Sequence, residues 1–268
     1  MKKDLVSIVI PARNEEKNIG RLLDSIKKQS YKRIETIVVD DGSSDKTINI
    51  SKQKGAKVFQ RAHLERSAQR NFGASKAKGK YLIFLDADME LTKKVVEDCV
   101  STVFGKYKLL VIPEKTVGNN FIARIRNFER EMYMGDFSIE VARFFEKKIF
   151  EEYGGYDLEL TGPEDYDLPY RIGKQYEIGR SGEYILHHEE GVTLYRLLKK
   201  KYYYGRNGAK YAKKHPELIA TQGNLLFRKA YFRNWKKFVN DPVLGFSFVI
   251  VRTLEATWAV AGYLSSFI

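Results

Sequence analysis

Two carboxylates close an apolar run in this sequence: Tyr81-Leu82-Ile83-Phe84-Leu85 passes straight into Asp86-Ala87-Asp88. A continuous apolar run of that length reads as a strand buried on both faces. Side chains alternate along a strand, so Asp86 and Asp88 point the same way if the extended conformation continues. Paired carboxylates at a buried strand end repel each other and are costly to desolvate. A bound cation is the usual remedy, and oxygen ligands favour Mg²⁺, Mn²⁺ or Ca²⁺. The bland reading is that Asp86 ends the strand in a turn and Asp88 caps the next helix. Local sequence leaves both readings standing, because D-x-D is short and common.

The elements that would position this pair decide between them. Leu5 to Ile10 reads as a strand stopped by Pro11, and Asn14 as the N-cap of a helix with Glu15 and Glu16 in its first turn. Ile34 to Val39 is a second buried strand, ending in the loop Asp40-Asp41-Gly42-Ser43-Ser44-Asp45. Lys57-Val58-Phe59 is a short third strand, and a helix follows over 67–78, closed by Gly79. Strands alternating with helices predict βαβ units and a mostly parallel sheet. Right-handed crossovers bring the strands' C-terminal ends to one edge, where α/β folds bind ligands. The polar clusters at 11–15, 40–45 and 86–88 all fall at such ends. Neither a Walker loop nor a G-x-G-x-x-G is present.

At 268 residues and 43% hydrophobic, the chain can bury a sizeable core. Its formal charge of +13 points to an anionic partner: nucleic acid, an anionic membrane or a phosphorylated substrate. The single Cys99 excludes an internal disulfide and fits a reducing compartment. It shares a helical face with Val95, Val96 and Val103, as a small buried hydrophobe does. The N-terminal apolar run is too short, and too soon followed by charge, for a signal peptide.

The runs VSIVIPARNEEKNIGRLLDSI, IVVDDGSSDKT and RSAQRNFGASKAKGKYLIFLDADMEL strongly resemble the family 2 glycosyltransferases of GT-A fold, and GGYD…GPEDYDLPYRI extends the likeness. The resemblance implies a GT-A-type α/β fold and inverting transfer of a sugar from a nucleotide-diphospho-sugar (UDP- or GDP-linked) to an acceptor hydroxyl. It implies that Pro11, Ala12 and Glu15 line the base and ribose, that Asp40 or Asp41 reads the base, and that Arg70 and Asn71 lie near base and diphosphate. Asp86 would contact ribose or the metal's water, and Asp88 would ligate Mg²⁺ or Mn²⁺. Asp165 would be the general base, supported by Glu164. A His after that pair often completes the metal site. His187 and His188 are adjacent and face opposite ways, so one of them reaches it, and His188 is preferred. On residues alone, Glu164-Asp165 is an ordinary acidic first turn and the two histidines an ordinary strand end.

The second half reads as an acceptor side. Leu109 to Pro113 and 141–145 are strand candidates, Phe121 to Tyr133 is a basic amphipathic helix, and Gly154-Gly155-Tyr156-Asp157 is a tight turn. The expected division is a catalytic domain over 1–190, with halves 1–105 and 106–190, and a basic aromatic helical tail over 191–268. No acidic residue falls between Arg196 and Lys214, and 225–238 repeats the mixture of cations and aromatics. A solvated helix pair, a nucleic-acid surface and an anionic membrane surface compete for this tail. The third is preferred, since each cation gains roughly 1 kcal/mol near anionic lipid and Tyr and Trp settle at the interface. The apolar 243–268 is long enough to span, but Arg252 and Glu255 would each cost roughly 2.5–3.5 kcal/mol mid-bilayer. A helix lying in the interface or packed on another is expected. These readings place the chain in the cytoplasm, peripheral at the inner membrane face, acting on a glycan or lipid-linked acceptor. The alternative is a non-catalytic nucleotide-sugar-binding or scaffold protein.

Overall fold

The apolar runs over 5–10, 34–39 and 81–85 do become neighbouring strands. The computed structural model describes residues 3–218, 222, 226 and 228–267. Met1, Lys2, Leu225, Phe227 and Ile268 therefore lie outside the described residues. The first elements are β1 (Val6–Ala12), α1 (Ile19–Lys27), β2 (Ile34–Asp40), α2 (Thr47–Gln53), β3 (Lys57–Gln60) and α3 (Arg66–Lys76). Next come β4 (Tyr81–Phe84), β5 (Met89–Leu91), α4 (Val95–Val103), β6 (Leu109–Val111), β7 (Glu114–Val117) and α5 (Phe121–Tyr133). They are followed by β8 (Ala142–Glu146), α6 (Lys147–Glu152), α7 (Glu164–Gly173), β9 (Ile178–Arg180) and β10 (Ile185–His188). The chain closes with α8 (Leu194–Lys214), α9 (Pro216–Leu218), α10 (Lys229–Arg233), α11 (Lys236–Asn240) and α12 (Pro242–Ser265).

The chain forms two compact units. One comprises 1–114, 141–158 and 165–187; the other comprises 115–140, 159–164 and 188–268. The helix α5 falls in the second of these units.

The first unit is built on a seven-stranded sheet in the order β3-β2-β1-β4-β8-β6-β9. β1 runs parallel to β2 and β4, and β2 parallel to β3. β8 is antiparallel to both β4 and β6. All seven residues of β1 are buried, as a central strand covered on both faces requires. Ile8, Ile10, Leu22 and Ile83 pack on one side, and Val9, Val39, Phe84 and Phe145 on the other. Val95, Val96, Cys99 and Val103 are the buried face of α4, and burial pushes the Cys99 thiol's pKa up.

Three local expectations change. Pro11 does not stop β1: it pairs with Val39 of β2, beyond the point where the β4 ladder ends at Val9. With a neighbour on one side only, the missing N–H costs no ladder bond. Asn14 does not cap α1, which begins at Ile19. It adopts φ 54°, and its side chain accepts the Ser44 N–H at 2.9 Å, joining the ends of β1 and β2. Finally, the extended conformation does not run through Asp88. Met89 N–H bonds Asp86 O at 3.1 Å, turning the chain between β4 and β5 and sending the two side chains to different partners.

The second unit is helical. Ile125, Phe128, Met132, Tyr231, Phe248 and Val251 form its core. Asn120 caps α5 by accepting the Ala123 N–H at 2.8 Å. A buried charge cluster crosses the bundle: Glu129 of α5 accepts from Arg252 at 2.7 Å and from Tyr133 at 2.9 Å, and Arg252 also pairs with Glu255.

Candidate functional site

Carboxylates gather where β1, β2 and β4 end, and buried guanidinium groups sort them. Arg70 of α3 is fully buried. Its Nη2 donates to Asp86 Oδ1 at 2.9 Å and its Nη1 to Asp165 Oδ1 at 2.6 Å. Arg143 of β8 approaches the other face of Asp86, with Nη2 3.4 Å from Oδ2, while its Nε donates to Glu114 at 2.6 Å. Glu114 in turn lies 3.1 Å from His187 Nδ1, and His187 Nε2 lies 3.1 Å from Asp88 Oδ2. A continuous chain of contacts thus runs Asp88–His187–Glu114–Arg143–Asp86–Arg70–Asp165.

Electrostatics follow from this order. Burial alone would raise the Asp86 pKa, but Arg70 and Arg143 outweigh it and hold the carboxyl well below the usual range. Burial likewise would weaken the Arg143 charge, and Glu114 and Asp86 more than restore it. Glu15 goes the other way: burial, then the nearby charges of Asp88, Asp86 and Asp45, raise its pKa against a lowering bond from Asn18. Glu15 therefore shares the electrostatic neighbourhood of Asp86 and Asp88.

The two aspartates at the end of β2 are both buried and differ in their partners. Asp40 is wholly enclosed, its Oδ2 accepting the N–H groups of Gly42 and Ser43 at 3.2 and 3.1 Å. Asp41 is nearly as enclosed, with Oδ2 2.5 Å from the exposed His63 and Oδ1 accepting from Leu64 N–H at 2.9 Å and from Gln69. Pro11 and Ala12 are buried in β1, and Ala12 O accepts the Asp41 N–H at 2.9 Å.

Two site expectations need correction. Asn71 is committed to the protein: its amide brackets Tyr156, donating to the carbonyl at 2.8 Å and accepting the N–H at 2.9 Å. It holds the Gly154-Gly155-Tyr156 turn, which Arg171 also grips through Gly155 O at 2.7 Å, backed by the buried Asp167 at 2.8 Å. Of the two histidines, His187 faces Asp88, whereas His188 Nδ1 pairs with Glu190 at 2.8 Å. The pairing of β10 with β5, His187 opposite Met89, selects it. Arg143 and Glu114 carry no signal in the sequence, whereas His187 is the second choice there, behind His188. Arg70, expected near base and diphosphate, lies among the site carboxylates and donates to Asp86 and Asp165.

Among the described residues, no group of three or more His, Cys, Asp and Glu is placed to hold a metal ion alone. Asp88 nevertheless suits a cation that brings further ligands. Its Oδ1 is buried with no hydrogen-bond partner among the described residues, and its Oδ2 faces an imidazole nitrogen. Mg²⁺ commonly enters through one or two carboxylates plus substrate phosphates. Glu164 is buried at the start of α7, and Asp165 directly follows it.

The profile of the family described as Glycosyl transferase family 2 matches residues 7–156, more than half of the chain. The chain belongs to glycosyl transferase family 2. It is similar to the 4,4'-diaponeurosporenoate glycosyltransferase of Staphylococcus haemolyticus, 42% identical over 96 residues, covering 33% of this chain and 25% of that protein. The chain spans less than two thirds of the length of the curated relatives it matches. Among solved structures, a mannosyltransferase of Pyrobaculum calidifontis in complex with GDP-Man and Mn²⁺ aligns with TM-score 0.69 at 15% identity, over 100% of this chain and 88% of that one. TarS of S. aureus in complex with UDP aligns with TM-score 0.58 at 18% identity, over 97% and 90%. At these identities the two structures establish the GT-A-like fold of this family 2 member.

Proposed function

We propose that this chain transfers a sugar, with inversion, from a nucleotide-diphospho-sugar to an acceptor hydroxyl, and that Asp88 and His187 hold a divalent cation. The observation that carries the reading is the buried, unpartnered Oδ1 of Asp88 beside His187 at the C-terminal edge of the sheet. With Nδ1–H of His187 donating to Glu114, Nε2 keeps its lone pair toward Asp88, the tautomer a cation ligand needs. A bound Mg²⁺ or Mn²⁺ would neutralise charge building on the departing diphosphate.

Asp165 is the base. Arg70 fixes its Oδ1, and among the described residues Oδ2 carries no hydrogen bond, so that oxygen can take the acceptor proton. As the acceptor O–H bond breaks toward Asp165, the new bond forms at the anomeric carbon and the nucleoside diphosphate leaves from the opposite side. Glu164 supports this position from the adjoining residue. Glu15, Asp86 and the backbone at Pro11 and Ala12 receive ribose and base. Asp40 or Asp41 reads the base at the end of β2; Asp40 keeps a buried Oδ1 with no hydrogen-bond partner among the described residues, while both oxygens of Asp41 hold protein partners. Donors in the complexes of similar structures, GDP-Man and UDP-linked, favour UDP- or GDP-sugars. A glycan or lipid-linked acceptor at the cytoplasmic membrane face completes the reading, in line with the similarity to a 4,4'-diaponeurosporenoate glycosyltransferase. A thermal-stability panel of UDP- and GDP-sugars with Mn²⁺ tests the reading: one of them should raise the melting temperature only with the cation. No stabilisation by any donor would contradict it.

A further inference from the structure

The helix α12 is two-faced, and its outer face fits lipid. Its 24 residues span about 36 Å. It is the one described helix long and apolar enough to cross a membrane, yet only 28% of its most apolar window is buried. It is therefore not a core helix. Val243, Phe246, Ile250, Val260 and Leu264 lie exposed along one stripe, Phe246 by 71%. The stripe's two polar members, Thr253 and Thr257, donate their hydroxyls to the helix's own carbonyls at Val249 and Thr253, 2.9 and 3.0 Å away. No charge and no unsatisfied hydroxyl interrupts this face, which is what hydrocarbon demands and water does not.

The opposite face rules out a crossing helix. Arg252 and Glu255 are turned inward and paired with each other, and Arg252 also pairs with Glu129. Along the same face α12 packs on α8 with almost no side chain between: a Cβ at Gly205 would strike the Ala259 carbonyl, and one at Gly262 the Tyr202 carbonyl. α8 carries exposed Arg196, Lys199, Arg206 and Lys210. Such a helix cannot be drawn into hydrocarbon, and α12 cannot leave it. Just before α12, exposed Phe232, Trp235 and Val239 sit among exposed Lys229, Arg233 and Lys236. Aromatic rings beside cations suit the headgroup layer of an anionic bilayer.

We infer that α12 lies flat in one leaflet of an anionic phospholipid membrane, its Val243–Leu264 stripe in the acyl layer and the cations of α8, α10 and α11 at the headgroups. The inference extends the membrane-face location given above to a defined surface, and its test needs neither donor nor cation. A failed test would therefore leave the transferase reading standing.

The experiment is flotation of the full chain with vesicles of phosphatidylcholine alone or mixed with phosphatidylglycerol. The protein should float with the anionic vesicles and far less with the neutral ones. The double substitution Phe246→Glu and Leu264→Glu should cut that binding roughly ten-fold or more. Trp235 and Trp258 of the unaltered protein should be quenched by lipids brominated on their acyl chains. No flotation with anionic vesicles would overturn the inference, and so would binding that ignores the double substitution, or unquenched tryptophans. A dimer that this substitution converts to monomer, with no vesicle binding, would assign the face to a second copy of the chain instead.

Discussion

Arg70 Nη1 donates to Asp165 Oδ1 at 2.6 Å while Nη2 of the same guanidinium donates to Asp86 Oδ1 at 2.9 Å. One buried cation therefore ties the candidate base to the carboxylate at the end of β4. Removing it leaves two carboxylates facing each other with little water. Arg70→Met should destabilise the fold by about 3–5 kcal/mol in urea unfolding. Arg70→Lys should recover part of that stability, but little transfer rate, because an ammonium cannot fork to both partners. Equal recovery of both would show that Arg70 serves stability alone.

The same contact predicts a pH dependence. The folded pKa of Asp86 lies below its unfolded value, so its contribution to stability is fully present above the ordinary Asp value near about 3.9. It drains away as pH falls toward the folded value. The stability gap between the unaltered protein and Arg70→Met should be constant near neutrality and narrow below about pH 4. Urea midpoints measured from neutral to acid pH report this. A gap unchanged into that acid range would contradict the assignment.

The histidines give a sharper contrast. Glu114→Gln removes the group that holds His187 in its tautomer, and should weaken Mn²⁺ binding about 10–100-fold. His187→Ala should weaken it at least as much. His188→Ala, which removes the contact with Glu190 and none with Asp88, should change it little. Paramagnetic titration of Mn²⁺ in the presence of donor would rank the three.

Gly155 offers a test of the turn beside the site. It has φ 68°, and a Cβ there would stand 2.6 Å from Asn71 Oδ1. Gly155→Ala should cost about 1–3 kcal/mol of stability, read by thermal unfolding. Asn71→Ala should cost a similar amount by removing its two hydrogen bonds to the Tyr156 N–H and carbonyl. A loss of donor binding with unchanged stability would instead return Asn71 to the ligand.

The strands that carry the site were legible because their apolar runs are local. So were α5, with the bounds Phe121–Tyr133 expected, and the buried face around Cys99. The gathering of Glu15, Asp86 and Asp88 followed from strand ends meeting at one sheet edge. What the sequence concealed depends on register between distant segments. Alternation says that His187 and His188 face apart, but only the pairing of β10 with β5 decides which meets Asp88. Arg143 and Glu114 sit on strands with no local polar signature, and Arg70 looks like any helical surface charge until α3 is packed on the sheet. Asn14 read as a cap because its type fits one; its left-handed φ comes from spanning two strand ends.

The most direct test of the account is release of nucleoside diphosphate from the stabilising donor, with acceptor and Mn²⁺, by the unaltered protein and by Asp165→Asn and Asp88→Asn. The unaltered protein should turn over. Asp165→Asn should keep donor binding and lose turnover by about 10²–10⁴-fold, and Asp88→Asn should lose the cation-dependent rate. Undiminished turnover in either variant would contradict the mechanism proposed for this site.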